Sequence, residues 1–343
     1  MKINKNDLLA VIQKVKPGVS KKEIIEQAGH LIFSNDEVAT FNDQICILHP
    51  FTCEFPFSVK EAEFTKVLSG ISESEIDLTL KDGNLNIKSK STKASLSTIV
   101  GEESKVEHLI AQLKTNISAT DFFKPLPKEF IDGLYLCAFS ANKDVATGVR
   151  ACVAVKGDTI LSTDGIRASS YVMDKTMDEV LIPAKDAMEL IKYAVVSYGI
   201  SENWIHFKTE DGIIFNCKTM KGDYPHKQVL SIFEDVEPDM TFPAELKEAV
   251  GSVTILAEGD MDINKMVRIT IEKNLITVKA EKERGWIEKT VAFEYAGEPI
   301  TFIINPIFFT QILALASGFN LVKGKAQFAS ENFVHIMALP QED

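Results

Sequence analysis

Residues 158–194 read DTILSTDGIRASSYVMDKTMDEVLIPAKDAMELIKYA, and their order decides how the rest of the chain is read. A strand runs into a tight turn at Thr163-Asp164-Gly165, a second strand passes through Tyr171 and Val172, and an amphipathic helix opens at Pro183. Gly165 supplies the backbone freedom of the turn, and Pro183 the pre-set φ of a first helical turn. Ala187, Leu190, Ile191 and Ala194 fall on one face of that helix.

The same order occurs on either side. Upstream, Asn4 caps a helix with Leu8, Leu9, Ile12 and Val15 on one side, stopping before Pro17-Gly18. Residues 30–50 alternate as paired strands around Asn35-Asp36. Ser58 and Glu61 read as the capping box of a second helix carrying Phe64, Val67, Leu68 and Ile71 and ending at Gly70. A hairpin follows, with Ile76, Leu78 and Leu80 before Asp82-Gly83 and Leu85 and Ile87 after it.

After a polar passage over residues 115–120, Pro127 opens a helix with Phe130, Ile131, Leu134 and Ala138 on one face. Strands follow through Val153 and Ile160, then the helix at Pro183, and the hairpin returns at Asp211-Gly212. A third round follows the acidic passage 234–243. Its helices carry Leu246, Ala249, Val250 and Val253, and then Phe309, Ile312, Leu313 and Ala316 behind an Asn305-Pro306 cap. Strands run through Ile269, Ile271, Ile276 and Val278, and two more close the chain around Ser330-Glu331-Asn332.

Each round takes roughly 120 residues, too long and too diverged for a short solenoid repeat. The expectation is an α+β protein of three similar domains, 1–118, 119–238 and 239–343, each with two helices packed on antiparallel sheet. Every helix has one apolar stripe, so its other face looks at something wet. Three rounds about an axis would give a common surface lined by helices. Rotating the stripes at about 100° per residue turns Lys14, Lys66, Lys185 and Lys192 outward. Lys21 and Lys22 extend a lysine-rich N-terminal stretch.

Composition narrows the partners. With 343 residues, 45% of them hydrophobic, the chain can bury several cores, and a net charge of -12 confines any nucleic-acid contact to local clusters of lysine. Cys46, Cys53, Cys137, Cys152 and Cys217 are odd in number and scattered without CxxC pairing, which fits buried thiols in a reducing compartment. No apolar run approaches about 18 residues, so no membrane segment is expected and the protein is read as cytoplasmic.

Catalytic signatures are missing from the sequence. There is no GxGxxG or GxxxxGK[ST] phosphate cradle, no HExxH, no G-x-S-x-G elbow and no zinc spacing, and the six histidines are dispersed. Asp164 with Arg167 resembles a carboxylate beside an anion-binding arginine, but Asn42-Asp43-Gln44 occupies the matching place in the first round. A repeated turn explains both. No cofactor and no metal are expected, and the protein is not read as an enzyme.

The middle round carries a more specific likeness. Ser162-Thr163-Asp164-Gly165-Ile166-Arg167-Ala168, then Ile182-Pro183-Ala184-Lys185, then Gly222-Asp223-Tyr224-Pro225 with Gln228-Val229-Leu230 resemble the T-D-G-H-R-L, V-P-x-K and G-x-F/Y-P-D-Y-x-x-V segments of the bacterial DNA sliding clamp family, the beta subunit of DNA polymerase III. Residues 336–340 are similar to its V-M-P-M-R-L ending, and residues 93–98 to its R-F-S-L-S-T strand.

This resemblance implies the DNA clamp fold and a head-to-tail ring of two chains. Such a ring encircles double-stranded DNA without sequence preference, is opened by a clamp loader, and tethers a DNA polymerase as a processivity factor. A link of this kind needs only a wide lumen and modest phosphate attraction. By matching positions, it implies a partner-peptide pocket of Ala146, Thr163, Gly165, Ile166, Arg167, Ala168, Pro225, Val229, Asn305, Phe308, Ile336, Met337 and Leu339. Lys14, Lys21, Lys22, Lys66, Lys185 and Lys192 would meet DNA. The homodimer interface would join Val67, Ile71 and Ala94 of one chain to Ile255 and Leu256 of the next.

Departures from the pattern bear on partner choice. Ile166 replaces a histidine, Gln228 stands where arginine is usual, Ala338 replaces proline, and the tail ends in the acidic 341–343. Ala94 replaces an interface aromatic, which implies a weaker dimer. Glu248 and Gln311 on wet faces of the third round shift the expected DNA contact to the first domain and the second helix of the middle one. The alternatives are a clamp-fold platform for repair or transcription partners and, from another class, an α+β enzyme with an unrecognised site.

Overall fold

A computed structural model describes residues 1–22, 25–99, 105–119, 121–233, 238, 240–257, 264–322 and 324–340. The chain is α+β, with short helices packed on antiparallel sheets, and it divides into two compact units. The first comprises Met1–Lys128 and Val180–Lys221, the second Glu129–Glu179 and Gly222–Asp343.

In the first unit, the helix Lys5–Val15 starts where the Asn4 side chain accepts from the Asn6 N–H at 2.9 Å. Its stripe of Leu8, Ile12 and Val15 is fully buried. An eight-stranded sheet runs in the order Phe57–Lys60, His30–Phe33, Glu37–Phe41, Ile45–Pro50, Ile214–Lys218, Trp204–Thr209, Val195–Ser201, Lys124–Pro125. Its seam pairs Leu48 with Ile214 and Cys46 with Asn216, joining strands from the first and second rounds. A four-stranded sheet of Lys2–Asn4, Glu75–Lys81, Asn84–Lys88 and Lys93–Ser97 contains the expected hairpin. Asp82 at φ 52° and Gly83 at φ 72° give its two-residue turn the left-handed backbone that matches strand twist.

In the second unit, Cys152–Thr163 is a single long strand, and so is Arg167–Pro183, whose last four residues belong to the first unit. They continue into a six-stranded sheet with Phe333–Ala338, Lys325–Ser330, Gly318–Val322 and Met240–Thr241. Gly285–Ala292, Leu275–Lys282, Val267–Glu272 and Ile300–Ile304 form a second sheet. Phe130–Ala138, Glu245–Val253 and Pro306–Ile312 are its main helices. Each of the two larger sheets draws strands from consecutive rounds, so backbone contacts cluster by sheet.

Three local expectations change. Ser58 does not cap a helix: it lies in the strand Phe57–Lys60, 3.1 Å from His30 Nδ1, and the helix Glu61–Ser69 starts behind Lys60 with no side-chain cap. Glu61 instead receives Lys16 at 2.9 Å and the Thr65 hydroxyl at 3.0 Å. The helix expected at Pro127 begins at Phe130, past a turn over residues 128–129. The polar passage at 115–120 begins inside a helix, Lys105–Asn116, whose Val106, Ile110 and Leu113 pack on Ile32, Ala39, Phe41 and Leu48. The acidic residues 341–343 and most of the passage 234–239 lie outside the described residues.

All five cysteines are buried thiols. Among the described residues no helix is long and apolar enough to cross a membrane.

Candidate peptide pocket and lysine faces

The expected pocket positions all fall in the second unit. Their hub is the turn between the two long strands. Asp164 Oδ1 accepts from the N–H groups of Ile166 and Arg167 at 2.9 and 3.0 Å, and Thr163 Oγ1 donates to the Arg167 carbonyl at 2.7 Å. Gly165 at φ 95° closes the turn in a conformation that a side chain resists.

Arg167 points inward and is 4% exposed. Its Nε donates to Asp164 at 3.2 Å, its two terminal nitrogens donate to Gln311 at 3.1 Å and to the Phe139 carbonyl at 2.5 Å, and its guanidinium lies 3.7 Å from the Phe308 ring centroid. Burial pulls its pKa below the ordinary value, while the Asp164 carboxylate acts the other way. Arg167 therefore ties the turn to the helix Pro306–Ile312 and to the end of the helix Phe130–Ala138.

Beside it, His335 is fully buried between the Ser169 and Ser140 hydroxyls, 2.9 and 3.3 Å from Nδ1. Burial and the Arg167 charge push its pKa well down, so the ring is neutral.

Strand pairing sets the floor: Arg167 faces Met337, and Ala168 faces Ile336. Ala168, Ile336, Met337, Val229 and Phe308 are all buried. Asn305 spends its Oδ1 on the N–H groups of Ile307 and Phe308, both at 3.0 Å, as a helix cap. Thr163, Arg167 and Asn305 are thus satisfied inside the chain.

The outer surface mixes apolar side chains with an exposed arginine, Arg150, whose guanidinium nitrogen lies 3.8 Å from where a Cβ on Gly165 would stand. Ile166 is 41% exposed, its carbonyl accepting from the Ala338 N–H at 2.9 Å, and Ala146 and Gly165 are also exposed. Leu339 and Pro225 are half-buried. Val145 and Leu230, neighbours in sequence of Ala146 and Val229, are exposed as well. The family pattern does not single them out; their apolar character on short helical turns is the only signal.

The lysine positions fall in the first unit. Lys14, Lys21, Lys22, Lys66, Lys185 and Lys192 are all exposed. Lys14 Nζ stands 5.5 Å over the Tyr193 ring, and the Tyr193 hydroxyl donates to the Lys14 carbonyl, which brings two helix ends together. Lys192 is held 2.7 Å from Glu189. Of the crowded N-terminal lysines, Lys5 donates to the Ile71 carbonyl at 2.5 Å and Lys16 pairs with Glu61.

Of the expected interface positions, Ile255 is 76% exposed, while Val67, Ala94 and Leu256 are half-buried. Ile71 is 2% exposed and has no surface left to offer a second chain. Trp286, 63% exposed on the edge strand Gly285–Ala292, was not foreseen.

No family model matches the chain. The beta sliding clamp of Chlamydia pneumoniae is 22% identical over 349 aligned residues, covering 91% of this chain and 88% of that protein. Among solved structures, the sliding clamp of Bartonella birtlesii bound to griselimycin matches with a TM-score of 0.80 at 16% identity, over 100% of this chain and 99% of that one. The Helicobacter pylori beta clamp bound to a DNA ligase peptide matches with a TM-score of 0.78 at 16% identity, over 99% of each chain. Along its whole length the chain has the fold of the bacterial beta sliding clamps, the beta subunits of DNA polymerase III.

Proposed function

We propose that the protein is a DNA sliding clamp, a non-catalytic processivity factor of the cytoplasm. In this reading two copies close head to tail around duplex DNA, and the ring tethers a DNA polymerase after a loader has opened it. The observation that carries the reading is the end-to-end match to solved clamps, at a TM-score of 0.80 with 99% of the other chain covered. The reading carries with it three similar domains, 1–118, 119–238 and 239–343.

The edges of the sheets support closure. Lys93–Ser97 and Gly285–Ala292 each end a four-stranded sheet and leave one side unpaired among the described strands. Pairing one with the other from a second copy satisfies both edges and repeats around a closed ring. Ile255 and Trp286 supply exposed apolar anchors, and Val67 and Ala94 are the positions that would receive them. Tethering then raises the local concentration of the polymerase with no new chemistry.

Light scattering tests the assembly. Twice 38.0 kDa is expected for the protein, and the single-chain mass for Ile255→Asp. Primer extension with a cognate polymerase and loader tests the activity. A stable single chain before mutation, or no gain in product length, would overturn the reading.

A further inference from the structure

The short helical segment Val145–Ala151 brings a cation to the turn at Asp164. Arg150 is exposed, and its Nη1 lies 3.8 Å from where a Cβ on Gly165 would stand. A Cβ on Gly222 would stand 2.8 Å from Val149 Cγ1, so the same segment also abuts the start of the stretch 222–230. The segment that carries Arg150 thus borders two walls of the pocket, the turn with Ile166 and the stretch with Val229. Backbone groups hold it at both ends: the Ala146 N–H donates to Asp144 Oδ1 at 2.9 Å, and the Asn142 N–H donates to the Arg150 carbonyl at 2.8 Å.

Two arginines meet at this turn, and their commitments differ. Arg167 is buried and spends its donors on Asp164, Gln311 and the Phe139 carbonyl. The Arg150 side chain has no hydrogen-bond or ion-pair partner among the described residues. Asp164 does not take it up, because Oδ1 accepts from two backbone N–H groups and Oδ2 from Arg167 Nε. A guanidinium offers a planar fork of donors that fits a carboxylate with two parallel hydrogen bonds, and it is more weakly hydrated than an ammonium. Beside it the exposed Ile166 offers an apolar contact, and Val145 on its own segment another.

We propose that Arg150 selects partner peptides by a carboxylate, an aspartate or glutamate side chain that pairs with the guanidinium while a neighbouring apolar side chain rests on Ile166. This selection rests on the clamp reading above, in which a partner peptide docks at the pocket, and adds a charge preference to it. The buried floor of Ala168, Ile336, Met337 and Val229 is apolar and cannot tell apart two peptides that differ only in charge.

The test is isothermal titration calorimetry of the full chain with acetyl-Leu-Asp-Leu-Phe-amide and, separately, acetyl-Leu-Asn-Leu-Phe-amide. In an extended peptide, alternation sends the acid to the side opposite its flanking leucines, so the carboxylate can meet the rim while they meet the floor. The aspartate peptide should bind about fivefold more tightly, near the upper end for an exposed ion pair. Arg150→Gln should abolish the difference by weakening the aspartate peptide alone, and Arg150→Glu should turn the preference toward acetyl-Leu-Lys-Leu-Phe-amide. Since Arg150 is exposed and its segment is held through backbone groups, both variants should melt with the parent chain. Equal affinity for the aspartate and asparagine peptides, or a preference that survives Arg150→Gln, would overturn the role of Arg150 and leave the pocket standing. No binding of any of the peptides to the parent chain would overturn both.

Discussion

Neutralising Lys14, Lys66 and Lys185 together should flatten the salt dependence of DNA binding. Six lysines were candidates from the sequence, but their surroundings are unequal. Lys192 already has a carboxylate 2.7 Å away, so taking up a phosphate means giving up Glu189. Lys14, Lys66 and Lys185 are exposed and form no ion pair among the described residues. Each phosphate neutralised on duplex DNA contributes about -0.9 to the slope of log Kobs against log salt, so three lysines supply about -2.7 per chain and roughly -5 for two. Fluorescence anisotropy of a labelled linear duplex between about 50 and 200 mM salt measures this slope directly. The triple substitution to glutamine should flatten it by about that amount, and Lys192→Gln alone should leave it nearly unchanged. A slope that survives the triple change would place the DNA elsewhere, and a loss for Lys192→Gln equal to that of Lys66→Gln would refute the role given to Glu189.

Asp186 is buried on the same helix as Lys185, and burial raises its pKa from 3.8 to about 6. Its ionisation therefore opposes folding: the cost is absent below 3.8, grows through that interval and is complete above about 6, on the order of 3 kcal/mol at most. Asp186→Asn should stabilise the protein in denaturant melts at pH 8 and have little effect at pH 4; equal effects at both would refute the linkage. Arg167→Met removes a buried cation with three hydrogen-bond partners and should cost about 3 to 5 kcal/mol in urea unfolding, whereas an exposed rim arginine would cost less than about 1 kcal/mol. At Gly133 a Cβ would stand 2.6 Å from the Tyr171 ring and 2.7 Å from Ile160, so Gly133→Ala should lower stability by about 1 to 3 kcal/mol, and a neutral effect in the same assay would show that this contact relaxes.

The elements that could be read from the sequence are those whose signals are local. Asn4 as a cap, the Asp82-Gly83 hairpin and the stripe Leu8, Ile12, Val15 each depend on residues within a few positions of one another, and each is present. The partners across the large sheets depend on distant residues. Asn216 donates to the Cys46 carbonyl across 170 positions, and nothing in either strand names the other. The helix Lys105–Asn116 was legible in principle, since Val106, Ile110 and Leu113 keep the helical period. It was obscured because it falls where a boundary between rounds was expected, and its apolar side covers a sheet face that single-layer packing would leave wet. The Ser58 capping box failed for the opposite reason: the local pattern was present, but pairing of Ser58 with Ile32 kept the residue in a strand.

The pocket shows what a motif can and cannot carry. The resemblance indicated which segments to examine together, and hydrogen bonds and strand pairing bring the turn at Asp164, the helix at Pro306 and the last strand side by side. It could not indicate which side chains of the turn face outward. Position relative to the strand decides it: Ile166 lies in the turn and stays exposed, while Arg167, the first paired residue, opposite Met337, is buried along with the strand residues directly after it. The aromatic faces of Phe308 and Phe139, the Phe139 carbonyl and Gln311 then hold the guanidinium where it is. A partner arriving at this turn would meet Ile166 and Gly165 beside the exposed Arg150, and not Arg167. Ile166, which departs from the family pattern, is thus exposed on the turn, and Arg167, which keeps the pattern, is buried behind it.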